Sequence, residues 1–259
     1  MHACFALKFF LNQTCLLVLL SVLVLKPVRN SAQTKTAAVL LNFQHYAGNE
    51  ELAFDTEYSN PAGEIFSINK FRYYISNIAL YDSVNNRHVV NGADYFLIDE
   101  KVASSKSIIL NFSPGIYKAI SFVIGVDSIR NVSGAQSGAL DPLNDMFWTW
   151  KSGYVMAKME GQSKVSTLPH HIIEYHIGGF KGKYNALQVI TLTFSTPVAI
   201  SGDQPGVIIQ IKADINKWFN SAHSLSIAQY PACTSEGELA QRFSENYRNM
   251  FSIEKIITK

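Results

Sequence analysis

The chain has 259 residues, 22 Lys and Arg against 20 Asp and Glu, and 47% hydrophobic residues. Its charges are scattered and nearly balanced, so nothing in the composition makes an electrostatic case for nucleic-acid binding. The length allows one large domain or two small ones. With no low-complexity linker and no internal repeat, a single domain is expected.

Lys8 precedes a run that becomes continuously apolar over residues 16–25, Lys26-Pro27 ends it, and Ser31-Ala32 supplies small residues for cleavage. The apolar core is short for a membrane span, so residues 1–32 read as a secretory signal peptide, and no stable span remains after cleavage. Lys26 and Arg29 behind the apolar core are unusual and leave a retained anchor as the alternative. Cleavage would remove three basic residues and no acid, leaving a net charge of −1 on residues 33–259. It would also remove Cys4 and Cys15, leaving Cys233 as the one cysteine, without a partner for a disulfide. No paired-residue motif surrounds Cys233, so it reads as a partly buried thiol and not a nucleophile.

Val39, Leu41, Phe43 and His45 alternate on one face of a predicted strand at 39–46. A turn at Asn60–Gly63 precedes a strand at 71–81, and Asn91-Gly92 marks a turn before another at 95–98. Segments 108–112 and 117–124 flank Ser113-Pro-Gly115, a hairpin signal. Further strands are expected at 154–160, 172–177, 187–194 and 207–211. Residues 214–219 form at most a turn or two of helix. Ser235 with Glu238 has the form of a capping box, followed by Leu239, Phe243, Tyr247 and Met250 at near-helical spacing. Short strands between Gly, Pro and Asn turns predict a mainly β fold. The expectation is an antiparallel sandwich or barrel-like single domain with a short C-terminal helix.

No nucleophile elbow, zinc-protease motif, phosphate loop or dinucleotide fingerprint occurs, and no spacing pairs two carboxylates for acid–base work. The chain is therefore read as a non-enzyme. His45 ends the inward series of the first strand, and His176 stands where a strand meets the Gly178-Gly179 turn. Neutral imidazole at such positions suits copper or zinc. Each histidine also fits a core hydrogen-bonding role, and spacing alone favours that. His170 and His171 follow Pro169 in a loop, and His88 beside Arg87 reads as a turn residue. Trp148 and Trp150 share a face if their segment is extended, where they either pack in a core or serve a site. Asp127 and Asn131 have oxygens for a hard cation such as calcium, although hydrogen bonds within their own loop are the more ordinary use.

Several blocks in order carry a family resemblance: residues 41–45 (LNFQH), 71–78 (FRYYISNI), 95–99 (YFLID), 124–131 (IGVDSIRN), 138–142 (GALDP), 147–154 (FWTWKSGY), 176–179 (HIGG) and 246–251 (NYRNMF). Together they resemble the MbnP-like family of secreted copper-binding proteins, related to MopE and CorA of methane-oxidising bacteria, in the form found in Bacteroidetes-type bacteria. The resemblance spans nearly all of residues 33–259, and the Asp-Pro…Trp-x-Trp-x-x-Gly-Tyr block is specific. It implies a secreted or periplasmic protein that acquires, stores or delivers copper. It implies a mononuclear copper site of two histidines and a tryptophan oxidised to kynurenine by a dihaem cytochrome c peroxidase-like partner of the MbnH type. By context the ligands are His45, His176 and Trp148 or Trp150. Part of the family has histidine two residues after the modified tryptophan, where this chain has Trp150. The competing reading is a secreted β-sandwich module that binds glycan or protein through exposed aromatics. A weaker third is a hydrolase whose acids meet only in the fold.

Overall fold

The computed structural model describes residues 36–90, 95–134, 136–149, 152–201 and 206–258. The proposed signal peptide, the Asn91-Gly92 turn and Trp150 lie outside them. Fifteen strands occur among the described residues. They are β1 (Ala37–Ala47), β2 (Glu50–Glu51), β3 (Glu57–Ser59), β4 (Ile65–Asp82), β5 (Arg87–Val89), β6 (Tyr95–Asp99), β7 (Ser107–Phe112), β8 (Gly115–Ile124), β9 (Phe147–Thr149), β10 (Gly153–Gln162), β11 (Ile172–Gly178), β12 (Gln188–Ile200), β13 (Val207–Asp214), β14 (Ala232–Cys233) and β15 (Phe251–Thr258). Two α-helices, α1 (Ser128–Val132) and α2 (Glu238–Tyr247), accompany them.

The strands form two sheets. The smaller runs β15-β13-β1-β2, with β7 also on β1, and the larger runs β12-β8-β4-β10-β11-β14, with β3, β5 and β6 on β4 and β9 on β10. Most pairings are antiparallel, but β1 lies parallel to β13 and β11 parallel to β14. The predicted alternation in β1 is realised, since Val39, Leu41, Phe43 and His45 are all buried. They meet the inner face of the larger sheet, where Phe43 packs edge-on against Tyr73 and Phe122. Such edge-to-face aromatic pairs add to area burial in holding sheet against sheet.

Two local expectations are corrected. Ser113-Pro-Gly115 does not close a hairpin: β7 pairs with β1 and β8 with β4 and β12, so the chain changes sheets there. Ile108, Leu110 and Phe112 of β7 bury one face against the core, which holds that strand in the smaller sheet. Ser235 does not cap α2, whose N-cap is Gly237 with no side-chain cap hydrogen bond. Gly237 has φ +152°, a conformation open to glycine, and the helix starts from it. Phe243 and Tyr247 of α2 are buried against Trp218. Cys233 is buried, and burial pushes its thiol up to about 11, which keeps it protonated and unreactive. Among the described residues no helix is long and apolar enough to cross a membrane.

Candidate metal centre

Register decides where the two histidines stand. Phe71, Met159 and Tyr175 are aligned across β4, β10 and β11, as are Tyr73, Ala157 and Ile177, and all six are buried. His45 packs edge-on against Phe71 and Tyr73, so this set faces the smaller sheet. The intervening positions point the other way, because side chains alternate along a strand. Those positions align Arg72 with Lys158 and His176, and Lys70 with Glu160 and Glu174. His45 is therefore inside the sandwich and His176 on the outer face of the larger sheet. The structure does not bring the two together.

On the inner side, His45 is 2% exposed and both ring nitrogens are engaged. Nδ1 bonds the Glu100 carboxylate, and Nε2 lies 2.8 Å from the Tyr73 hydroxyl. Burial lowers the imidazole's pKa more than Glu100 raises it, so the ring is neutral. Burial also pushes Glu100 upward, but hydrogen bonds from His45 and Lys106 outweigh it and hold the carboxylate ionised. An ionised carboxylate only accepts, so Nδ1 carries the proton, and Nε2 accepts from Tyr73. No open coordination position remains on this histidine.

On the outer side the donors are half-buried and close. His176 Nε2 lies 2.8 Å from Glu160 Oε1 and 3.4 Å from Glu174 Oε1, and the three ligand atoms all stand within 4.8 Å of one another. Donor atoms bound at roughly 2.0–2.1 Å to one ion stand about 2.8–3.4 Å apart for right-angled to tetrahedral arrangements. The two His–Glu spacings fit that range. The His176 hydrogen bond, against an opposing effect of burial, and Lys70 at 2.9 Å bring the Glu160 carboxyl down to about 2. It is thus a standing anionic donor. Glu160 and Glu174 were missed in the sequence because no short spacing links them. The available signal was an ionisable residue at every second position of 158–160 and 174–176.

Trp148 shares this face. Glu174, His176 and Gly178 alternate outward on β11, and an ideal β-carbon at Gly178 would stand 2.5 Å from Cζ3 of Trp148. Only glycine leaves room for the indole there. Trp148 is partly buried against the core, in contrast to the open platform that a glycan-binding surface requires. The segment bringing it in is pinned by three cations. Lys158, 4% exposed, lies 3.0 Å from Asp145 Oδ2 and donates to the Asp145 carbonyl; Lys70 reaches Asp145 Oδ2 at 3.1 Å, and Arg72 donates to the Asn144 carbonyl. Asp145 itself has φ +58°, the left-handed conformation that turns the chain into β9.

The remaining candidates serve structure. Asp127 caps α1 by accepting from the Arg130 N–H and also accepts from the Tyr95 hydroxyl. Asn131 donates to the carbonyls of Val126 and Asp127 and accepts from the Tyr154 N–H. These oxygens hold their loop, the ordinary role expected of them. His88 pairs with Asp82 at 3.1 Å near the surface. His170 and His171 both take left-handed backbone conformations before β11, and His171 Nδ1 lies 3.1 Å from the Ser166 carbonyl.

A search of curated protein sequences finds no significant match. A solved structure, MbnP from Methylosinus trichosporium, is similar in fold, with a TM-score of 0.55 over 77% of this chain and 83% of that one at 16% identity. A family model described as MbnP matches residues 36–235. The chain belongs to the MbnP family.

Proposed function

We propose that this protein is a secreted or periplasmic copper-binding protein that acquires, stores or delivers the metal and is not an enzyme. The carrying observation is the outer-face cluster of His176, Glu160 and Glu174 beside Trp148, in a chain of the MbnP family. One imidazole and two carboxylates make a donor set suited to Cu(II). Lys70 holds the other Glu160 oxygen, Oε2, at 2.9 Å, so a metal that replaces the Glu160–His176 hydrogen bond at Oε1 leaves that contact standing. Among the described residues, Trp148 is the tryptophan best placed for conversion to kynurenine by a dihaem peroxidase-like partner. Opening that indole would add a carbonyl and an aniline nitrogen against Gly178, two residues along β11 from His176. A carboxyl lowered to about 2 is a poor proton donor at neutral pH, which argues against acid–base hydrolysis by the same residues.

Peptide mass spectrometry on protein from its native host tests the modification: kynurenine in the 146–158 peptide is expected, and an intact Trp148 in copper-loaded protein would refute its role. Copper titration of His176→Ala tests the site itself, with a loss of at least about tenfold in affinity expected.

A further inference from the structure

The inner face carries a hydrogen-bonded line that the copper reading does not use. Tyr73 is fully buried, and its hydroxyl donates to His45 Nε2 at 2.8 Å. His45 Nδ1 donates to Glu100, and both Glu100 oxygens accept from Lys106 Nζ, at 3.0 and 3.1 Å. Exposure rises along the line, from 12% for the Glu100 side chain to 22% for that of Lys106. The line therefore runs from the middle of the sandwich to its edge. Among the described residues, Tyr73 is the tyrosine whose hydroxyl faces an imidazole nitrogen. Phe43, Phe71 and Phe251 surround its ring at centroid distances of 6.2, 5.4 and 5.7 Å and keep water from it.

A buried phenol cannot lose an electron alone without leaving an isolated cation in an apolar core, which is prohibitively costly. It can do so if its proton moves at the same time to a base already in place. His45 is that base: neutral, with its Nε2 lone pair on the hydroxyl, and with an ionised carboxylate behind Nδ1 to stabilise the imidazolium that results. We propose that Tyr73 is a redox-active tyrosine and that His45, positioned by Glu100, is its proton acceptor. On oxidation the Tyr73 O–H bond breaks and an N–H bond forms at His45 Nε2. One electron leaves for a high-potential one-electron oxidant, such as an oxidised indole or haem centre, which is reduced by one electron. The products are a neutral phenoxyl radical and an imidazolium paired with Glu100, so net charge in the core rises by one and no atom is lost. The adjacent Tyr74 lies on the outer face, 5.8 Å from Tyr154, whose ring is 4.9 Å from Phe147 next to Trp148. Tyr73 and Tyr74 are consecutive on β4, so the backbone joins this outer-face aromatic run to the inner face. The proposal stands independently of copper binding.

The test is flash oxidation of the full protein with photogenerated tris(bipyridine)ruthenium(III), followed by freeze-quench electron paramagnetic resonance. The wild type is expected to give a neutral tyrosyl radical outlasting those of exposed tyrosines, and Tyr73→Phe is expected to lose that long-lived component. Glu100→Gln, which keeps the shape and removes the charge, is expected to shorten its life by about tenfold. A high-field spectrum of the wild type needs no variant and should show the g-shift of a phenoxyl oxygen bonded to a cationic donor. The same long-lived signal in Tyr73→Phe, no lasting radical in the wild type, or the g-values of an unbonded phenoxyl would each overturn the proposal.

Discussion

The two faces of the larger sheet hold one histidine each, and the contrast between them shows how environment sets the role of the same side chain. On the inner face His45 is sealed among Phe71, Tyr73 and Glu100, with both nitrogens committed. On the outer face His176 is half-buried, with one nitrogen turned toward two carboxylates, at 2.8 and 3.4 Å. A residue buried with every polar atom satisfied contributes stability and a preset direction for any proton it exchanges with its partners. A residue held at the edge of solvent by charged neighbours keeps an exchangeable bond.

That contrast can be broken by exchanging its parts. His45→Ala leaves the buried Tyr73 hydroxyl without its imidazole partner, leaves Glu100 with Lys106 alone and opens a cavity, and should cost about 3 kcal/mol in a urea unfolding experiment while copper affinity changes little. A loss below about 0.5 kcal/mol would show the inner network to be slack. Gly178→Ala drives a β-carbon into the Trp148 ring and should cost about 1–3 kcal/mol, with a shift in tryptophan emission as the indole is displaced. Unchanged emission would mean that Trp148 does not rest on that strand.

The faces should also separate by pH. His45 titrates lower folded than unfolded, so the unfolded chain takes up the extra proton, and stability should fall as pH drops below 6.5. Glu160 is brought down from 4.5 to about 2, so its contribution is complete above pH 4.5 and is lost as the pH falls toward 2. After solvent screening that contribution is about 1–2 kcal/mol. Urea midpoints across pH should show both steps in the wild type and the lower one reduced in Glu160→Gln. A lower step that survives intact in that variant would contradict the assignment. The smallest effect belongs to His88→Ala, where a surface pair with Asp82 is removed, and a change under about 0.5 kcal/mol is expected.

Much of the fold was legible because periodicity reports burial directly. The alternation of Val39, Leu41, Phe43 and His45 marked β1 and its inner face, and the turn residues marked most strand ends. The cross-strand register is not a local property, so His45 and His176 could be assigned to strands but not to opposite faces. Glu160 and Glu174 lie 14 residues apart in sequence and face each other only once β10 and β11 pair. β15 was overlooked because Leu239, Phe243, Tyr247 and Met250 carry the helical spacing up to its first residue. Gly178 was visible as part of a turn, but its use as the seat of an indole depends on the return of β9, more than two dozen residues earlier in the chain.

The most direct test of the outer-face site is a calorimetric Cu(II) titration of the wild type, His176→Ala and His45→Gln under identical conditions. The account predicts one copper bound by the wild type, an affinity at least about tenfold weaker in His176→Ala, and near wild-type affinity in folded His45→Gln. Equal affinity in wild type and His176→Ala, or a loss confined to His45→Gln, would contradict it.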